Sequence, residues 1–358
     1  MSGGHDLHDP HDGRAGSLVT QALGDALGFL VEGQPPRACA DYAATVFADE
    51  TAPLGRRAGF GFGQYSDDTQ LARELALSLH ATPAGQGSAS GRSAAVAADF
   101  AARVAALFAT DRIIGGGRAT QAAADRLIAG VAWDRAGEPS PSAGNGAAMR
   151  AGPVGFLDAD ETAVIRVADD SARVTHLDLR SRAAAVLVAL VVRDGIRNGP
   201  TGCASGWFER LAAVLDGPDP LLASGVRRLP EWLRCDPVAV GEQITRFTAP
   251  PPDTENDTEN DTENDAGGRH GISPFATPSV LYALFAYARA PADPEEVLRI
   301  ALAVGGDVDT VAAMAGAMVG AAVGLDGLTA RLRRWAQHLN DQGGFGAGDL
   351  AALARSVR

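Results

Sequence analysis

Two short clusters carry residue types that could do chemistry together. Ser66-Asp67-Asp68-Thr69 stands at the start of a predicted helix, after a loop containing Gly59, Gly61 and Gly63. Gly305-Gly306-Asp307-Val308-Asp309-Thr310 opens a second helix near the other end of the chain. Each puts two carboxylates and a hydroxyl within one turn of a helix N-terminus. Either cluster alone reads as helix capping, because Ser and Asp are preferred N-caps. Together they offer the oxygen ligands that hard divalent ions such as Mg²⁺ take. Carboxylates gathered at one point repel each other unless cations neutralise them. Four of them could hold two ions about 3.5–4 Å apart, the spacing of two-metal hydrolytic sites. A zinc pattern is missing: there is no HExxH, and the histidines are scattered.

Three further segments are candidates of lower specificity. Glu32 ends the apolar stretch GFLVEG, where it either faces solvent or needs a partner, since an unpartnered buried carboxylate is costly. Ser142-Ala143-Gly144-Asn145-Gly146, running on to Arg150, offers turns whose N–H groups can face a ligand, and equally an ordinary connection. Gly115-Gly116-Gly117 is a loop able to approach a phosphate. It is neither a Walker nor a dinucleotide-binding fingerprint, because no Gly-Lys-Ser/Thr follows and no strand precedes it.

Positioning these groups falls to helices. Residues 16–31 read as one, and Gly16, Thr20, Gly24 and Gly28 recur in it every four residues. Gly costs a helix about 1 kcal/mol per position, so a row of them predicts close approach of another backbone. Ala312, Gly316, Gly320 and Gly324 repeat the device in the helix that follows Asp307. The two small-residue ridges are expected to pack together at short distance, closing the two ends of the chain into one domain. Helical periodicity also marks 68–80, 93–108, 119–131, 162–172, 179–193, 207–215, 237–248, 280–288, 294–303, 328–339 and 349–357. No segment alternates with period two, so no sheet is expected.

Composition narrows the function classes. At 358 residues with 46% hydrophobic and 21% charged residues, the chain can build a large core. Of the net charge of −13, seven negatives fall in the repeat DTENDTENDTEND, leaving a mildly acidic body without the basic stripe that nucleic acid needs. Nucleic acid is therefore not an expected partner. Cys39, Cys203 and Cys235 are distant and odd in number, which fits a reducing, cytoplasmic setting better than a disulfide framework. Residues 1–14 hold no apolar signal-like run. The charge-free stretch 311–325 is too short to span a bilayer, so no membrane association is expected. Residues 1–13, with His5, His8 and His11, read as a disordered tail, and 251–269, around the acidic repeat, as a disordered loop.

The segments GDALGFLVEG (24–33), YSDDTQLAR (65–73), GNGAAMRAGPVG (144–155), VTH (174–176) and GGDVDTVAAMAGAMVGAAVG (305–324) occur in the order found in ADP-ribosylglycohydrolases, and the chain resembles that family from about Gly16 to Gly324. The resemblance implies an all-α, compact multi-helix domain over 14–358 and two Mg²⁺ or Mn²⁺ ions that hold the ribose hydroxyls of ADP-ribose. By position it implies Ser66, Asp67, Asp68, Asp307, Asp309 and Thr310 as metal ligands, with Glu32 and Asp68 as proton-moving groups. It implies Gly115, Gly116, Gly117, Ser142, Gly144, Asn145 and Gly146 as phosphate- and ribose-contacting residues, and His176 as a pocket residue. Ala143 stands where some relatives carry an aromatic residue, and Ser66 replaces the commoner Thr while keeping the hydroxyl. The implied activity is hydrolysis of an N- or O-glycosidic bond of ADP-ribose. The substrate would be an ADP-ribosylated protein, with arginine the first-choice acceptor, or a small molecule containing ADP-ribose. The alternative is a catalytically silent member that binds ADP-ribose or blocks a partner, in the manner of an immunity protein.

Overall fold

The computed structural model describes residues 9–49, 51, 55–83, 89–200, 206–249 and 271–358. The acidic repeat, Cys203 and residues 1–8 of the expected tail lie outside the described residues. Residues 10–13 of that tail belong to the first helix. Asp9 caps it by accepting from the His11 N–H, and Pro10, whose missing N–H costs nothing at a helix start, occupies its first turn.

The architecture is all-α, as expected. In chain order the helices are α1 (Pro10–Phe29), α2 (Pro36–Ala48), α3 (Asp67–Ala81), α4 (Ala89–Ala109), α5 (Arg118–Ile128), α6 (Trp133–Ala136), α7 (Glu161–Arg173) and α8 (Leu179–Asn198). They continue as α9 (Trp207–Leu215), α10 (Pro220–Trp232), α11 (Pro237–Thr248), α12 (Ala276–Arg289), α13 (Pro294–Ala303), α14 (Val308–Val323), α15 (Ala330–Ala336) and α16 (Ala347–Ser356). Three of these, α2, the single-turn α6 and α10, were not anticipated. Both α2 and α10 begin with Pro in the first turn, and α10 is also capped by Asp219. Pro230 inside α10 obscures its pattern. A two-residue hairpin, Arg56–Arg57 against Phe60–Gly61, is the sheet found among the described residues, where none was expected.

Two helices run through the centre. Every residue of α1 from Gly13 to Phe29 is buried, as is every residue of α14 from Val308 to Ala322. A helix buried all round has no polar face to spare, and α8 and α12 complete a largely buried inner layer. The expected ridges meet as backbone against backbone. A Cβ added at Gly24 would stand 2.1 Å from the Ala312 carbonyl oxygen, and one at Gly28 would stand 2.3 Å from the Asp309 Cα. On the facing helix, a Cβ at Gly316 or Gly320 would reach 2.4 Å from the Thr20 oxygen or 2.2 Å from the Gly16 oxygen. Ser17 ties the pair further by donating to the Ala317 carbonyl at 2.9 Å. No described helix is long and apolar enough to cross a membrane.

The missing side chains are thus a requirement of the fold. Gly24→Ala should lower stability by about 2–3 kcal/mol in urea unfolding, although Ala is the better helix former. Gly348→Ala, in α16 with nothing within 4 Å of the added Cβ, should be neutral or stabilising by up to about 1 kcal/mol. Equal effects at the two positions would contradict the close approach.

Candidate metal and substrate site

The contact between Gly28 and Asp309 decides where the chemistry sits. It brings the C-terminal end of α1 against the N-terminal end of α14, which carries the second acidic cluster. The loop ahead of α14 is locked to the segment after α1: Gly33 donates to the Gly306 carbonyl at 2.8 Å, and Gly306 donates to the Gln34 carbonyl at 3.0 Å. Gly305 and Gly306 have φ of +77° and +78°, the left-handed region open to glycine. A Cβ at Gly306 would strike the Ile272 oxygen at 2.2 Å. This turn delivers Asp307 at the N-cap of α14, yet its side chain makes no capping bond. The carboxylate instead accepts from the Asn145 amide, which also donates to Ser279 Oγ at 3.0 Å.

The first cluster is held by a residue that the sequence reading passed over. Asp25, fully buried in α1, accepts from the Ser66 N–H at 2.9 Å, the Thr69 N–H at 3.0 Å and the Thr69 hydroxyl at 2.6 Å. A carboxylate from α1 therefore caps α3 from outside. Ser66 adds a cap of its own through the Asp68 N–H, and its hydroxyl donates to Asp68 Oδ2 at 3.0 Å. Gln21, one turn before Asp25, donates to the Asp68 and Met149 carbonyls. The signal for Asp25 was available: an acid on the small-residue face of a helix otherwise buried all round needs donors.

The two clusters line one cavity of about 550 Å³. Its walls include Glu32, Asp67, Asp68, Asp307, Asp309 and Thr310, and from the other expected segments Gly115, Gly117, Ser142, Gly144, Asn145, Gly146 and His176. Two expected residues are not on the wall. Ser66 turns its hydroxyl to Asp68, and Gly116 packs towards Ile113 and Phe108. Thr120, Glu138, Pro274 and Phe275 line the cavity without having been anticipated. Glu32 is half-buried at the edge and paired with Arg57 at 2.6 Å, which answers the question of its partner. Ligand oxygens of Glu32, Asp307 and Asp309 lie within 4.8 Å of one another.

These acids are in an environment that opposes their charge. Burial first, then the charges of Asp25, Asp67 and Asp307, pushes Asp68 well above the usual carboxylate range. Burial raises Asp67 likewise, followed by Asp25, Glu32 and Asp307. Asp309 is raised by burial, then Glu32, Asp307, Asp68 and Asp25. Asp25 and Asp307 reach about 6, burial outweighing the hydrogen bonds that favour their ionised forms. Asp68 Oδ1 is buried without a hydrogen-bond partner. An all-oxygen donor set with mutual repulsion and an orphaned carboxylate oxygen fits hard divalent cations.

The remaining wall is built by a short-range frame. The Asn145 N–H donates to the Pro274 carbonyl at 3.0 Å and the Ala276 N–H to the Ala143 carbonyl at 2.9 Å, fastening the 144–146 turn to the start of α12. The glycine loop is held by Gln70, whose Oε1 accepts from the Ile114 N–H at 2.9 Å, and by the Asp67 N–H donating to the Ile114 carbonyl at 2.7 Å. His176 is buried behind Gly144 and Gly146.

The family model described as ADP-ribosylglycohydrolase matches residues 7–358. An uncharacterized protein of Archaeoglobus fulgidus is 28% identical over 309 residues, covering 85% of each chain. A solved structure described as an ADP-ribosylglycohydrolase-related protein complex superposes with a TM-score of 0.64 at 26% identity, covering 98% of each chain.

The electrostatics predict a pH signature. A carboxyl whose folded pKa is raised binds its proton more tightly folded than unfolded, so stability is lost as pH rises through the folded value. His176, lowered by burial to about 3, acts in the opposite sense, but only below its unfolded value near 6.5. As pH rises from about 4 through 6 the metal-free protein should therefore lose stability through Asp25 and Asp307, with Asp67, Asp68 and Asp309 acting in the same sense, five carboxyls against one imidazole. Mg²⁺ or Mn²⁺ at pH 8 should restore it. Thermal unfolding in EDTA that is flat across this range, and unmoved by either ion, would contradict the reading.

Proposed function

This chain belongs to the ADP-ribosylglycohydrolase family, and within that family we propose that it is a metal-dependent hydrolase that releases ADP-ribose from a modified acceptor, with protein arginine as the first acceptor to test. The observation that carries the reading is the convergence of Asp67, Asp68, Asp307 and Asp309 from distant parts of the chain onto one cavity. The cavity is large enough for a nucleotide-sized ligand.

Asp67, Asp68, Asp307, Asp309 and Thr310 would hold two Mg²⁺ or Mn²⁺ ions. Ser66, its hydroxyl bonded to Asp68, would orient that carboxylate. When bound, the ions supply charge neutralisation and polarisation of oxygen atoms at the ribose. Asn145 holds the Asp307 carboxylate in place. Asp68 Oδ1, buried and without a partner, is placed to take a proton from water as its oxygen bonds to the anomeric carbon. Glu32, half-exposed and paired with Arg57, would relay a proton from solvent to the departing acceptor. Water thus divides between sugar and acceptor, through an oxocarbenium-like state. The buried thiol of Cys39 suits a reducing cytoplasm.

Asp68→Asn and Asp307→Asn should each cut ADP-ribose release from an ADP-ribosylated arginine peptide by at least about a hundredfold. Removing one repelling charge should leave the fold as stable as wild type at pH 8, or more so. EDTA should abolish release in the wild type. Release at the wild-type rate by either variant would place the chemistry elsewhere. ADP-ribose bound without any release from arginine, serine or small-molecule conjugates would favour the silent binder.

A further inference from the structure

Behind the cavity wall lies a chain of three buried side chains that the proposed reaction does not use. Arg150 is fully buried, and burial lowers its pKa while leaving it a cation at neutral pH. Its guanidinium donates to the Gly146 carbonyl, to the Ser171 carbonyl at 3.2 Å and to Thr175 Oγ1 at 2.7 Å, and lies over the Phe100 ring, with no carboxylate among these partners. Thr175 Oγ1 in turn lies 2.7 Å from His176 Nδ1. His176 Nε2 is on the cavity side. It sits 3.2 Å from where a Cβ would stand at Gly144, and Cε1 sits 3.0 Å from a Cβ at Gly146. Two residues without side chains thus leave that edge of the imidazole open.

Proton counting along the chain gives the tautomer. A guanidinium only donates, so the Thr175 oxygen accepts from Arg150 and has one hydrogen left to place. Thr175 is fully buried, and its hydroxyl has Arg150 and His176 Nδ1 as hydrogen-bond partners. If Nδ1 carried the imidazole proton, the threonine hydrogen would lack an acceptor, a buried unsatisfied donor. If Nδ1 accepts, the threonine hydrogen has its acceptor, and the ring proton is left on Nε2 at the cavity side.

We propose that Arg150 and Thr175 are positioning residues that fix His176 in its Nε2–H tautomer, so that the cavity is presented with a neutral hydrogen-bond donor for an oxygen of the ligand, a phosphate oxygen or a sugar hydroxyl. A neutral donor suits this wall, because a second cation beside Arg150 would carry a desolvation cost of its own, whereas N–H donation to an oxygen needs no charge. The tautomer stands independently of the enzyme reading; the statement that the donor meets the ligand rests on that reading.

The test is nitrogen NMR of the full-length protein at pH 7, labelled at histidine, with His176 assigned by its loss in His176→Gln. In the wild type, a pyrrole-type shift at Nε2 and a pyridine-type shift at Nδ1 are expected. Thr175→Val should move both shifts towards a tautomer mixture, and Thr175→Ser should restore them. A wild-type protein with the proton on Nδ1, or with a doubly protonated ring, overturns the proposal without recourse to any variant. ADP-ribose binding by calorimetry then tests the donor: Thr175→Val should bind about tenfold more weakly and Thr175→Ser like wild type. If the spectra are as expected and all three bind equally, the donor does not meet the ligand, and that half is overturned. If the wild type binds no ADP-ribose while the spectra are as expected, the enzyme reading fails and the tautomer assignment stands.

Discussion

The contact of α1 with α14, backbone against backbone, is the constraint from which the rest of the molecule follows. At ordinary helix spacing the side chains of two helices separate their axes by 8–10 Å. Here Gly16, Gly24 and Gly28 meet the backbone of Gly320, Ala312 and Asp309, and Gly316 meets that of Thr20, at distances that no Cβ could occupy. That approach sets Asp25 and Glu32, which α1 and its trailing turn supply, beside Asp307 and Asp309, which start α14. Because Asp25 also caps α3, the same contact fixes Asp67 and Asp68. Three helix ends are referenced to one helix pair.

What the contact assembles is unfavourable by itself. Burial raises Asp25, and burial with repulsion from neighbouring carboxylates raises Asp67, Asp68, Asp307 and Asp309, and the hydrogen bonds from Asn145, Ser66 and Thr69 relieve only part of it. The fold accepts that cost in the core and compensates with a large apolar interior around α1, α8, α12 and α14. A cluster so placed is stabilised by whatever brings positive charge to it. Strongly perturbed acids of this kind are common at functional sites.

Much of this was legible in the sequence. The four-residue glycine rows predicted the central contact, and the two acidic helix starts do line one cavity. Boundaries were read within a few residues for most helices, and α9, α11 and α13 to the residue. What was not legible depended on partners far apart in the chain. Asp25 was given no role, because its three donors come from α3. Asn145 lines the cavity, but that its amide also holds Asp307 and Ser279 could not be read from its neighbours in the chain. Ser66 and Gly116 stand back from the cavity wall, because hydrogen bonding turns one and packing the other. Arg150, inside a glycine-rich stretch, gave no hint that it anchors that turn from behind.

The central claim is that carboxylates from both ends of the chain share divalent ions. The most direct measurement is anomalous diffraction from crystals grown with Mn²⁺. The account predicts two peaks about 3.5–4 Å apart, bounded by Asp67 and Asp68 on one side and by Asp307 and Asp309 on the other. Density without an anomalous signal between those two pairs, at saturating Mn²⁺ and neutral pH, would contradict it.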